Sequence, residues 1–129
     1  MLLGQPNFFY PRFPSPQFVP DQEPEDVSFY VSTPMLETLR GLADFDLINT
    51  RRTRLSLGAT HVKTGTLIFF DNDKQRLTPE HVLASGSLPP GLPGTRIDGE
   101  LFWDGGCVSN TPLDVIFETP LTGHTIVFM

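Results

Sequence analysis

At 129 residues, with 39% hydrophobic and 11% aromatic side chains, the chain has the composition of one packed domain or part of one, not of a disordered tail. Its formal net charge of −6 argues against a nucleic-acid binder, which would show a basic face, and leaves room for local contact with a lipid surface. The single cysteine, Cys107, excludes an intramolecular disulfide, so a reduced intracellular setting is the default expectation.

The opening Met1-Leu2-Leu3-Gly4-Gln5-Pro6 is too short an apolar run, without a basic flank, to read as a signal peptide. No run approaches the roughly 20 apolar residues of a membrane span. A cytoplasmic or peripheral-membrane protein is therefore expected. Seven of the thirteen prolines fall within residues 1–34, interleaved with Phe8, Phe9, Tyr10, Phe13, Phe18, Phe29 and Tyr30. Proline removes amide donors and disfavours helix at the preceding residue, so residues 1–30 are expected to be extended. Their aromatics need a surface to cover. They form either an arm packed on the core or a flap beside an apolar binding site.

"STPMLETLRGLADFDLIN" predicts a helix capped by Thr33, with Pro34 first inside and an apolar face of Met35, Leu36, Leu39, Leu42 and Ala43. Gly41 weakens its middle and invites a split into two. "RLSLGATHV" and "TLIFF" are strands joined by a turn at Lys63-Thr64-Gly65, and Asp71-Asn72-Asp73 closes the hairpin. "TPEHVLASG" is a short helix, capped by Thr78 and stopped by Gly86. "TRI" and "ELFW" flank Asp98-Gly99, a strong two-residue hairpin turn. A further helix is expected from Thr111-Pro112, with Asp114 placed for a capping box. "TIVFM" reads as a final strand, and the chain looks like part of a larger sheet.

Two Asp-Gly pairs stand six residues apart in "DGELFWDGGCVSNTP". Asp98 is accounted for by its turn. Asp104 follows the apolar strand end Leu101-Phe102-Trp103 and precedes two glycines, which let the backbone turn sharply and let another group come close. A carboxylate at a strand end is a common place for an active-site residue, although the spacing alone is equally that of a turn.

The block "ASGSLPPGLPGTRIDGELFWDGGCVSNTPL" resembles the C-terminal motif block of the patatin-like phospholipases, and "LETLRGLADFDLIN" and "RLSLGATHVKTGTLIFFDN" are similar to the segments before it. The resemblance covers residues 28–129 and is most specific in the last third. It implies an α/β fold, here a partial three-layer α/β/α sandwich, with residues 31–129 forming the C-terminal part of the domain. It also implies a Ser-Asp dyad that hydrolyses lipid esters without metal or other cofactor. On that resemblance Asp104 is the proton acceptor, Gly105 and Gly106 shape its turn, and Asn110 to Pro112 lead into the supporting helix. A serine hydroxyl is a weak nucleophile until a group within hydrogen-bond reach takes its proton, and an ionised carboxylate can do so.

The family's Gly-x-Ser-x-Gly elbow is absent from this sequence. The nearest approach, Arg54-Leu55-Ser56-Leu57-Gly58, alternates like a strand, so Ser56 is read as a strand residue and no nucleophile is assigned. The expected activity is thus that of a lipid acyl hydrolase of which this chain carries only the aspartate. The alternative is a non-catalytic fragment, or a subunit completed by a separate serine-bearing chain. An unrelated β-rich binding domain would explain the hairpins but not the motif block. His61, His81 and His124 lack metal-ligand spacing. Arg51, Arg52 and Arg54 read as a solvated connection, Cys107 as a packed thiol, and Ser85 and Ser87 as helix-end residues.

Overall fold

The computed structural model describes residues 4–5, 7–15, 23 and 27–117. The expected strand "TIVFM" and His124 lie outside them. In chain order the elements are β1 (Tyr10–Pro11), β2 (Tyr30–Val31), α1 (Thr33–Leu42), α2 (Phe45–Ile48), β3 (Ser56–His61), β4 (Thr66–Asp71), α3 (Pro79–Ser85), β5 (Thr95–Ile97), β6 (Glu100–Asp104), a 3₁₀ turn (Gly105–Cys107) and α4 (Asp114–Phe117). The chain is mixed α/β, with antiparallel strands throughout the described sheets.

The main sheet has the order β4-β3-β6-β5. Each local turn follows from its residues. Gly65 takes φ +66° to close the β3–β4 hairpin, and Asp98 and Gly99 take φ +50° and +85° to close β5–β6. Strand alternation then sorts the side chains. Ala59, Phe70 and Phe102 face α3, and with Leu77 and Ala84 they form the buried core. The Phe70 and Phe102 rings meet edge to face at 5.3 Å, and each buried ring contributes about 1.5–3 kcal/mol. The other face carries Gly58, Thr60, Leu67, Phe69 and Trp103. Phe69 folds across Gly58, where a Cβ would lie 3.4 Å from its ring.

α3 begins as its sequence predicts. Pro79 is the first helical residue and Thr78 closes a capping box, but His81 supplies the reciprocal side chain where Glu or Gln is usual. α1 packs on α3, and Arg40 pairs with Glu80 at 2.9 Å. The predicted split of the first helix occurs at Ala43–Asp44, not at Gly41. Ala43 is extended (φ −113°, ψ 130°), and the Asp44 carboxylate accepts the Leu47 amide to start α2. The break is set by a new cap, not by a weak residue. The cap of α1 is Ser32, one residue before the expected Thr33.

Two asparagines pin the loops around α2. Asn49 donates to the carbonyls of Phe45 and Leu77 and accepts the Leu77 amide. Asn72 donates to the carbonyls of Ile48 and Thr53 and accepts the Leu55 amide. These side chains, Asn72 buried and Asn49 partly so, stand in for backbone pairing that the loop lacks. β1 and β2 pair as a two-stranded ribbon, extended by the Arg12 amide bonding the Phe29 carbonyl, and it is tied to the segment after α3: the Phe29 amide donates to the Pro90 carbonyl and the Tyr30 amide to that of Gly91. No helix among the described residues is long and apolar enough to cross a membrane.

Candidate active site

Asp104 is the last residue of β6 and sits opposite Ala59 of β3. Three hydrogen bonds hold it. Its amide donates to the Ser87 carbonyl at 3.0 Å, and its own carbonyl accepts the Thr60 hydroxyl at 2.9 Å. Its Oδ1 accepts the Gly106 amide at 2.7 Å, which caps the 3₁₀ turn. Among the described residues no other hydrogen bond reaches this carboxylate, so Oδ2 remains for another donor.

The two following glycines have different reasons. Gly105 is buried against β3, where a Cβ would lie 2.6 Å from the Gly58 carbonyl oxygen and 2.7 Å from its carbon. Only a residue without a side chain brings the turn this close. Gly106 is exposed, and its Cβ would lie 3.1 Å from Asp104 Oδ1 and 3.2 Å from Asn110 Oδ1. Asn110 therefore stands beside the turn that holds Asp104. Pro112 follows in an irregular stretch, and α4 starts at Asp114, later than the expected Thr111-Pro112 start. The Leu113 amide bonds the Thr111 carbonyl in a tight local turn, which delays the helix and makes Asp114 a first-turn residue, not the third position of a capping box.

Cys107 is exposed, and partial desolvation together with the charge of Asp104 raises its thiol pKa. It is therefore a poor thiolate. Ser56 lies three positions along β3 from Ala59, about 10 Å at strand spacing, and the alternation turns it to the opposite face. Its hydroxyl is buried with no partner among the described residues. It is out of reach of Asp104. Asp98 is exposed in its hairpin, where Arg96 donates to the Gly99 carbonyl.

At the other end of the sheet, where β3 starts and β4 and β6 finish, Asp71 is 1% exposed. Burial pushes its carboxyl up, but the Arg54 guanidinium, the Asp73 amide and the nearby Lys74 charge outweigh this and hold it below its ordinary value. Arg54 donates through Nε at 2.8 Å and Nη2 at 2.6 Å. The expected solvated role for this arginine is thus replaced by a charge-assisted bond to a buried acid. A cavity of about 440 Å³ adjoins it, lined by Leu47, Ile48, Arg52, Thr53, Arg54 and Leu55. His61 bonds Thr64 at 2.7 Å and Glu100 at 3.1 Å, and His81 serves the cap of α3. Among the described residues no group of His, Cys, Asp and Glu could hold a metal ion.

The residues that fix Asp104 from a distance, Ser87, Thr60 and Gly58, carry no local signal. Ser87 is completely buried, donates to the Leu83 carbonyl at 2.7 Å and meets the Thr95 hydroxyl at 2.9 Å. Its carbonyl is thereby aimed at β6.

No curated protein and no solved structure matches the chain. The family model described as Patatin-like phospholipase matches residues 12–117, a span that contains both the ribbon and the Asp104 turn. The chain belongs to the patatin-like phospholipase family, whose members act on lipid acyl esters.

Proposed function

We propose that this chain contributes the general base to a Ser-Asp lipid acyl hydrolase, and that Asp104 is that base. The observation that carries the reading is the fixed carboxylate: Oδ1 is held by the Gly106 amide while Oδ2 has no donor among the described residues. A carboxylate held in this way can accept a serine proton without first reorganising. The serine then attacks the ester carbonyl, the acyl group passes to its oxygen, and the proton goes on to the leaving alcohol. Water, activated by the same carboxylate, releases the acid.

The sequence holds no Gly-x-Ser-x-Gly, and Ser56 lies on the wrong face, so the nucleophile and oxyanion donors come from polypeptide other than these 129 residues. The same absence favours a second reading, a non-catalytic fragment or subunit.

One experiment separates them. The chain is expressed with a family segment that carries the serine elbow, and ester hydrolysis and fluorophosphonate labelling are measured. The 129-residue chain alone is expected to give neither. The combined protein is expected to hydrolyse acyl esters, with Asp104→Asn about 10²–10⁴-fold slower and Asp98→Asn unchanged, since Asn-Gly makes the same turn. Equal losses at the two positions would reduce both aspartates to structural roles. An inactive combined protein that is folded would favour the non-catalytic reading.

A further inference from the structure

The β1–β2 ribbon has an inner and an outer face. Phe9 turns inward and packs edge to face on Tyr30, with ring centroids 5.0 Å apart. Alternation along the paired residues turns Tyr10 and Phe29 the other way, and both are exposed, by 50% and 47%; Phe8 and Val27, in the flanking turn and loop, are exposed as well. Phe13 follows at the ribbon's end, 97% exposed. Leu88, also exposed, lies on the segment to which the ribbon is bonded. These rings stand on a braced backbone. The Arg12 amide donates to the Phe29 carbonyl at 2.8 Å, and the buried Ser28 hydroxyl donates to the Tyr30 carbonyl at 2.9 Å.

From this arrangement we infer that the outer face of the ribbon docks on a zwitterionic lipid surface. A contiguous exposed apolar patch marks an interaction site. Phenylalanine and tyrosine rings suit the boundary between headgroups and acyl chains, where an apolar body and a polar tip are both accommodated. The family's substrates reside in such surfaces. Charge selects the lipid class. The chain carries a net charge of −6, so an anionic surface repels it. The contact is also joined to the candidate site. The ribbon bonds Pro90 and Gly91, and Ser87, just before them, receives the Asp104 amide. The inference rests on the family's lipid substrates and is independent of the role of Asp104.

The test is co-sedimentation of the full chain with vesicles of diether phosphatidylcholine, which offer no acyl ester, so that binding is read without hydrolysis. The wild-type chain is expected to partition onto them equally at low and high salt. Replacing Phe13 with Ala and Phe29 with Ser together is expected to weaken partition about tenfold or more, from the apolar area withheld from the lipid. Phe13→Ala alone, at a fully solvated side chain that supports no packing, is expected to lose about threefold. Unchanged partition in both variants would overturn the inference. So would binding confined to phosphatidylserine vesicles and abolished by salt, or vesicle-independent self-association lost in the variants, which would make the face a protein contact.

Discussion

Gly105 rests directly on Gly58: a Cβ built on the first would fall 2.6 Å from the carbonyl oxygen of the second. The obstacle is backbone, so no side-chain rotation relieves it. Gly105→Ala is expected to push the 3₁₀ turn off β3 and to destabilise the fold by about 1–3 kcal/mol, the usual cost of overpacking. Gly65→Ala is a useful contrast. It has open space around the Cβ and suffers only the strain of its positive φ. Thermal unfolding of both variants checks this, and a wild-type melting temperature for Gly105→Ala would show that the turn yields freely.

The Arg54–Asp71 bond gives an acid dependence of known sign. The folded carboxyl titrates below its ordinary 3.8, so the stabilisation is present above that pH and is lost as the pH falls through the folded value. Arg54→Met leaves a carboxylate buried without its cation. Breaking a buried pair costs about 3–5 kcal/mol, and the partly exposed guanidinium reduces this to about 2–4 kcal/mol. Denaturant melts followed from pH 7 down to pH 2 measure it. A variant loss that stays the same across the whole range would mean that the carboxylate contributes nothing as a charge.

What could be read from the sequence was what neighbours in the chain decide. Thr78-Pro79 starts a helix and Asp98-Gly99 turns a hairpin through contacts within four residues, so both are visible without a fold. The Asp-Gly-Gly turn was visible as a motif. What holds it was not, because the Ser87 carbonyl, the Thr60 hydroxyl and the Gly58 backbone reach Asp104 and Gly105 only through the β3–β6 register. Asp71 read as a turn residue for the same reason. Its burial depends on Arg54, seventeen positions away, crossing the start of β3. The helix break likewise needed a competition between Gly41 and the Asp44 cap, which composition does not resolve.

His81 makes the cap of α3 sensitive to mild acid. Its Nδ1 accepts the Thr78 amide at 3.0 Å and must be unprotonated to do so. Burial lowers its pKa below the ordinary 6.5, against the opposing charges of Glu80 and Asp98. The unfolded chain therefore takes the proton first. Stability is complete above about pH 6.5 and declines as the pH falls below it toward the folded value. His81→Gln keeps a side-chain acceptor for the cap without a titrating group. Melting temperatures measured between pH 7.5 and 5 are expected to fall for the wild type and to stay nearly level for this variant. Parallel curves would remove His81 as the source.

Cys107 offers a direct reading of the charge on Asp104. The chain has one cysteine, exposed, and its thiol is raised first by desolvation and then by the Asp104 carboxylate. Asp104→Asn removes the negative charge and keeps the Gly106 amide's acceptor, so the thiolate becomes less unfavourable. The thiol pKa is expected to drop, and the rate of labelling by a disulfide reagent at pH 7.5 to rise, because only the thiolate reacts. Asp98→Asn, in the remote hairpin, is expected to leave the rate unchanged. Labelling unchanged in Asp104→Asn would show that no charge on this carboxylate reaches the thiol, and labelling slower than in the wild type would show that the turn has collapsed over the sulfur. Circular dichroism and the thiol pKa measured on the same sample check both cases. An ionised Asp104 beside Cys107 is the state that a general base requires, and the experiment reads it without any substrate.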